Sequence, residues 1–354
     1  MSERLRVHVV YEYGTDQKPF VCSYVRLIRP LTHPTVASFF DTTFGIDLPE
    51  KPVDILILDR LWRPDVSLDL AADLVSRIRE MGARFLYHLD DNLLDLKVSR
   101  KRIYPPVNFV SIAAYFLSQA DGVLVSTPAL RERLLPYHAN IQMVPNALDE
   151  RLFSIDSRTI DLHPQNPDKI KIGYMGTFTH DADLKLILPA LRRIVQKYLD
   201  QVQFEILGVI GNRKTLWKLK GLPLQFVSPK IEDIEYVRFM PWFTANIRWD
   251  IAIAPLLDTT FTRSKSDIKF LDYAAIGAAG VFSQGPVYSP TVEHLKTGWL
   301  AENRKKSWIE ALETLIEDNT LRRELVHNAS QYLYGERILA KRAKDWQKAI
   351  GQFI

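Results

Sequence analysis

The stretch RSKSDIKFLDYAAIGAAGVFS, residues 263–283, gathers side chains that could handle a phosphate-bearing ligand. Arg263, Lys265 and Lys269 supply positive charge, and Asp272 supplies a carboxylate among apolar residues. Lys265 and Lys269 are four positions apart, so on a helix they share one face, with Asp272 on or near it. A solvated face with i,i+3 pairing is the ordinary reading of such a pattern. Two features argue for a site. The charges follow directly on the apolar run DIAIAPL (250–256), and a parallel sheet binds ligands beyond the carboxyl ends of its strands. The small residues AAIGAAG (274–280) suit close packing beneath a site better than a surface helix.

Three other stretches could do chemistry. In IKIGYMGTFTHDADL (170–184) an apolar run ends in Gly-x-x-Gly-Thr, with Gly176 and Thr177 at its close, and a helix should begin within a few residues. Glycine lets backbone approach a ligand, and a helix N-terminus offers N–H groups to phosphate. The same pattern is that of an ordinary strand–helix turn, with Thr179 or Asp181 as helix cap; His180, Asp181 and Asp183 are the metal-ligating residue types present. YHLDDNLLDL (87–96) sets Asp90 and Asp91 just past a strand end. These could bind a metal, act as acid or base, or cap the following turn. No histidine–carboxylate cluster stands out around them, which argues against a tightly bound metal. VPNALDERLF (144–153) reads as a turn after a strand.

Periodicity supplies the elements that must carry these residues. Apolar runs at 5–11, 54–59, 84–89, 121–126 and 141–146 alternate with helical patterns at 20–31, 68–82, 108–120 and 127–137. Thr127 and Pro128 are a helix start, and Gly82 is a stop. The polar, Pro-containing DLHPQNPDK (161–169) reads as a linker. The alternation then restarts, with strands at 170–175, 202–208, 224–227 and 250–256 and helices at 181–199 and 234–246. Three helices, 307–319, 321–333 and 338–354, end the chain. Strand–helix–strand alternation requires crossovers and a mostly parallel sheet. The expectation is two successive α/β units, 1–160 and 166–335, with 338–354 packing back on the first.

The chain of 354 residues is long for one core, which agrees with two domains. At 47% hydrophobic and 25% charged it has an ordinary globular composition. Its 46 basic and 42 acidic residues leave a net charge of +4, too little to point to nucleic acid but compatible with anionic lipid or a phosphorylated substrate. The single cysteine, Cys22, excludes an internal disulfide and a cysteine-based zinc cluster. No signal-type start and no apolar run of ~18–20 residues is evident, so a cytoplasmic protein is expected. The basic run KVSRKR (97–102) is either a membrane-surface patch or a solvated loop.

Taken in order, YMGTFTHDADL (174–184), DIAIAPLLDTTFTRSKSDIKFLDYAAIGAAGVFS (250–283) and GWL (298–300) resemble the carboxyl-terminal half of retaining glycosyltransferases of family 4. Those enzymes typically show Asp-Ile-x-x-x-Pro and then Lys-x-x-Glu-Tyr-x-Ala-x-Gly-x-Pro-Val. ADGVLVSTPALRERL (120–134) and IQMVPNALDERLF (141–153) look like the family's last strands before its linker. The resemblance implies a GT-B fold, two Rossmann-like domains whose parallel sheets face a central cleft. It implies transfer of a sugar from a nucleoside-diphosphate sugar to an acceptor hydroxyl, with retention and without a metal or other cofactor. The acceptor would be a saccharide or lipid-linked saccharide, in bacterial surface polysaccharide assembly, at most peripherally on the membrane and without nucleic acid.

The resemblance also implies roles. Of two family glutamates eight positions apart, the second falls on Asp272, which would bond the donor ribose, and the first falls on Ser264. Lys269, with Lys265 or Arg263, would neutralise the leaving diphosphate. The family's basic residues after the glycine turn are replaced here, making Gly176, Thr177, Thr179 and His180 the donor-contact candidates. The histidine that follows the strand at FLYHL (85–89) is replaced by Asp90, with Asp91 beside it. The amino-terminal glycine loop matches YEYGTDQKPFVCSYVRL (11–27), with Gly14 and Arg26 as candidates. The substitutions at Ser264, Asp272 and Asp90 also admit a second reading, a non-catalytic GT-B domain that binds a nucleotide or glycan within a larger assembly. A phosphorylase or epimerase is disfavoured, because nothing resembles a pyridoxal-lysine or epimerase pattern.

Overall fold

The computed structural model describes residues 4–96, 106, 108–153, 169–176, 181–208 and 217–354. Most of the linker 161–169 and all of KVSRKR (97–102) lie outside the described residues. The chain divides into two compact units. Unit 1 holds 1–149, 264–266 and 338–354; unit 2 holds 150–263 and 267–337.

In unit 1, strands β1 (Leu5–Val10), β2 (Phe40–Gly45), β3 (Ile55–Asp59), β4 (Arg84–Leu89), β5 (Gly122–Val125) and β6 (Ile141–Met143) form one sheet in the order β2-β1-β3-β4-β5-β6. Every pairing is parallel. β3 and β5 are buried along their whole length, as strands covered by helices on both faces must be. β2 is the strand that apolar runs did not suggest. It is an edge strand, FDTTFG, with mostly half-buried and exposed residues, so it carries no strong apolar signal.

Helices α1 (Leu68–Glu80), α2 (Phe109–Gln119) and α3 (Pro128–Leu134) cross between these strands. Ser67 caps α1 by accepting from Leu70 N–H, and Thr127 caps α3 by accepting from Leu130 N–H. The 20–31 segment is helical but not uniformly α: Tyr24–Ile28 are π-helical between short α turns at Val21–Ser23 and Arg29–Leu31. Arg26 lies within this π-helical turn and is 1% exposed.

In unit 2, strands β7 (Ile170–Gly176), β8 (Val202–Gly208), β9 (Leu224–Val227), β10 (Ile251–Ala254), β11 (Ala279–Ser283) and β12 (Trp299–Ala301) form a second parallel sheet, ordered β12-β11-β10-β7-β8-β9. Its helices are α4 (Asp181–Tyr198), α5 (Tyr236–Asn246), α6 (Ile268–Ala275), α7 (Lys305–Glu317) and α8 (Asn319–Glu336). Gly173 in β7 lies under the Trp249 indole, and a Cβ there would sit 1.7 Å from it.

The last helix, α9 (Leu339–Gly351), belongs to unit 1. Ala343, Trp346, Ala349, Ile350 and Phe353 join Val7, Val9, Ile57, Leu86 and Leu124 in one apolar cluster. Phe353 covers Gly122, where a Cβ would fall 2.0 Å from the ring. Trp346 is 2% exposed and its indole faces the Arg26 guanidinium at 4.8 Å. Trp346→Ala should therefore cost ~3–5 kcal/mol from lost burial and the cavity left behind. Urea unfolding of the two proteins checks this, and Trp346→Phe should recover much of the loss.

Candidate functional site

Unit 2 gathers its candidate groups where β7 and β10 end and α6 begins. Tyr273 of α6 donates its hydroxyl to Ile253 O at 2.9 Å and accepts Met175 N–H at 3.4 Å, tying the helix to both strands. Asp183, on the first turn of α4, accepts Leu257 N–H at 2.8 Å and holds the segment after β10. The Lys269 Nζ stands 5.1 Å from the centroid of the Tyr174 ring, a cation–π distance. A side chain at Gly176 would meet the Tyr174 hydroxyl at 2.7 Å, so glycine keeps room for that ring. Thr177, Thr179 and His180 lie outside the described residues.

Asp272 differs from the other acids. It is 9% exposed, and its carboxylate makes no hydrogen bond among the described residues. Burial pushes its pKa up to about 7, with the Lys269 charge acting the other way. A buried acceptor without a hydrogen-bond partner among the described residues is chemically suited to a hydroxyl donor from a ligand. Nearby, at the carboxyl ends of β10 and β11, Leu256, Asp258, Arg263, Ser283, Gln284 and Asn303 line a pocket. Arg263 itself is surface-exposed and forks onto Asp258 at 2.5 and 2.9 Å.

One expectation needs correction. Lys265 and Lys269 do not share a helix face, because α6 starts at Ile268 and residues 264–266 belong to unit 1. Asp91 holds Lys265 there at 3.1 Å. In the same segment Ser264 O accepts from Thr127 Oγ1 at 2.9 Å, and Ser266 Oγ accepts from Asn146 at 2.8 Å. These long-range bonds draw the 264–266 backbone out of the helical path that spacing alone suggested.

Unit 1 concentrates charge at the carboxyl edge of its own sheet. Arg60 follows β3 with φ +49, a left-handed conformation uncommon outside glycine. Its guanidinium lies 3.3 Å from Glu12, 3.6 Å from Asp90 and 3.7 Å from Asp91. Burial opposes the Arg60 charge, but these acids and Cys22 more than restore it and raise its pKa. The Cys22 thiol is pushed well up by burial, then by Asp90.

Beside this cluster runs a second network. His88 Nδ1 meets Asp59 Oδ1 at 2.8 Å, and Arg26 Nε donates to His88 Nε2 at 3.2 Å. That donor requires an unprotonated Nε2, so the hydrogen-bond pattern assigns the ring proton to Nδ1. Burial raises the Asp59 pKa, but the bonds from His88 and Ser23 outweigh it and leave the carboxyl below its usual range. Arg26 also donates to Asn146 Oδ1 at 2.9 Å and to Val125 O at 3.1 Å. Gly14 lies in the turn before Phe20, whose ring would meet a Cβ there at 3.2 Å.

A histidine–carboxylate pair therefore does stand two residues from Asp90, contrary to the sequence expectation. With both ring nitrogens engaged, His88 offers no lone pair to a metal. Asn146, read from sequence as part of a plain turn, is a buried link between Arg26 and Ser266. Glu12, Asp59, Arg60, His88 and Asn146 were all missed. Their common signal is a polar residue at or just beyond the end of an apolar strand.

The Asp272 environment predicts a pH dependence. In the unfolded chain the carboxyl ionises from its ordinary 3.8, whereas in the folded chain it holds its proton to about 7. Between those values the folded state binds more protons, so stability falls as pH rises, and the loss is complete above about 7. The shift corresponds to a few kcal/mol, to order of magnitude. Asp272→Asn should flatten this part of the profile, measured by urea unfolding of both proteins from about pH 4 to pH 8.

No protein-family model matches the sequence, and no curated protein matches it. Solved structures do match. HepE from Anabaena in complex with UDP and glucose aligns with TM-score 0.67 and 10% identity, over 99% of this chain and 100% of that one. Sucrose-phosphate synthase from Thermosynechococcus elongatus aligns with TM-score 0.68 and 12% identity over 99% of each chain. A glycosyltransferase from Rickettsia africae gives TM-score 0.65 and 10% identity, over 100% of this chain and 99% of that one. Two Rossmann-like units with six-stranded parallel sheets, aligned with these structures along their whole length, are the GT-B fold.

Proposed function

We propose that the protein is a glycosyltransferase that moves a sugar from a nucleoside-diphosphate sugar to an acceptor hydroxyl with retention. The observation that carries this reading is the pairing, in α6, of Lys269 with a buried Asp272 that has no hydrogen-bond partner among the described residues. The ammonium suits a diphosphate and the carboxylate suits a ribose hydroxyl. HepE, one of the structures with this fold, has also been solved with UDP-glucose. Transfer needs the negative charge on the leaving diphosphate to be balanced, and Lys269 supplies the positive charge for this in place of a metal. The acceptor is a saccharide or lipid-linked saccharide of a surface polysaccharide, handled at the cytoplasmic side of the membrane. No helix among the described residues is long and apolar enough to cross a membrane.

A non-catalytic GT-B domain is the second reading. One observation favours it: Lys265, a candidate for the diphosphate, is engaged by Asp91 within unit 1. Screening nucleotide sugars for thermal stabilisation and for hydrolysis separates the two. The enzyme reading requires both with at least one donor. Stabilisation without turnover, with any acceptor tried, supports the binding domain.

Lys269 and Asp272 should divide the donor between them. Charge builds on the diphosphate as the sugar–phosphate bond breaks, so Lys269→Ala should lower kcat by about 10- to 100-fold and donor KM far less. The ribose contact is the same in ground and transition states. Above about pH 7, where its carboxyl is ionised, Asp272→Ala should therefore mainly raise donor KM, by the ~1–3 kcal/mol of a charge-assisted bond. Steady-state kinetics with donor varied reads both, and normal kinetics in both variants would remove α6 from the site.

The same assays test the metal. Activity should survive excess EDTA unchanged. Loss with EDTA and recovery with manganese would overturn the metal-independent mechanism and turn attention to Asp90, Asp91 or Asp181 as ligands.

A further inference from the structure

Asp267 occupies the N-cap position of α6, the helix that carries Lys269 and Asp272. Aspartate there ordinarily turns its carboxylate onto the first N–H groups of its own helix. Here its side chain makes no capping bond. Both oxygens point elsewhere. Arg337 forks onto them at 2.8 and 2.9 Å, and Thr291 Oγ1 donates to Oδ2 at 2.8 Å. Arg337 also reaches the Tyr332 hydroxyl at 3.3 Å. The two charged side chains are 8% and 10% exposed.

A buried ion pair generally returns little stability over well-packed apolar residues, so its presence calls for another explanation. Electrostatics at the helix end supplies one. An N-terminus carries partial positive charge and favours anions close to its N–H groups. A free aspartate at the N-cap would cover those groups and set a negative charge where a diphosphate should lie. Arg337 neutralises that charge and keeps it turned away.

We propose that Arg337 is a positioning residue for the donor: by clamping Asp267 away from the start of α6, it leaves that helix end electropositive for the diphosphate of a nucleoside-diphosphate sugar. This rests on the donor reading of α6. Arg337 touches no ligand atom in this role and acts only through Asp267. It lies 70 positions along the chain from Asp267, and its contribution is to the phosphates alone.

The test measures binding by calorimetry. UDP, GDP, ADP, CDP and dTDP are titrated into the wild-type chain, and the tightest is compared with its unphosphorylated nucleoside. Arg337→Gln should weaken the diphosphate by about fivefold or more, since the released Asp267 now caps and repels, and should leave the nucleoside within about twofold. Adding Asp267→Asn to Arg337→Gln should restore diphosphate affinity to near the wild-type value, because the neutral amide does not repel phosphate. Equal loss of diphosphate and nucleoside, or failure of the double variant to restore, would overturn the proposal and leave Arg337 a packing residue. If Arg337→Gln alone does not fold, the double variant decides by its diphosphate affinity. If the wild-type chain binds none of the five diphosphates, the donor reading itself fails and takes the proposal with it. Binding that is unchanged in Arg337→Gln sinks the proposal alone.

Discussion

Charge buried at the carboxyl ends of parallel strands must be balanced within a few ångströms, and much of this molecule is arranged around that requirement. In unit 1 a single guanidinium, Arg60, faces Glu12, Asp90 and Asp91. An isolated buried carboxylate would take up a proton or destabilise the fold. Arg60 itself adopts a left-handed φ of +49, an uncommon backbone conformation for a residue other than glycine. Arg26 does the corresponding work for the neighbouring network, joining His88, Val125 and Asn146 while its flat face rests on Trp346 of α9.

Unit 2 solves the same problem differently. Its acids are distributed, each with a separate task. Asp183 takes a backbone N–H, Asp267 takes an arginine, and Glu205 takes Trp249 Nε1 and Lys171. Asp272 makes no hydrogen bond among the described residues, and burial keeps its proton to about 7. Tyr273, bonded to both β10 and β7, is the side chain that holds Asp272 and Lys269 in register with the sheet.

Much of the architecture was legible in the residue pattern. The alternation of short apolar runs with helical periods is a local property, and eleven of the twelve strands appeared as runs or as part of the resemblance, with only the polar edge strand β2 missed. Thr127 could be read as a cap because capping is decided by four consecutive residues. Lys269 and Asp272 could be read together because they lie within one turn of one helix. Lys265 could not be placed in this way. Its partner Asp91 is 174 residues away, and that bond, with those from Thr127 and Asn146, fixes where the backbone of 264–266 runs.

The sequence by itself therefore determined what short-range physics decides: two parallel α/β units, the turn signals that bound their elements, and a cation and a carboxylate on the helix after β10. Tertiary structure alone decided which charges face each other. His88 meets Asp59, Arg60 meets three acids, and Arg337 meets Asp267 across separations of 29 to 70 residues. Such pairs depend on strand order and on which turn each loop takes, and no local preference encodes either. The role of a charged residue here follows from its partner, and the partner is known only once the sheets have been assembled.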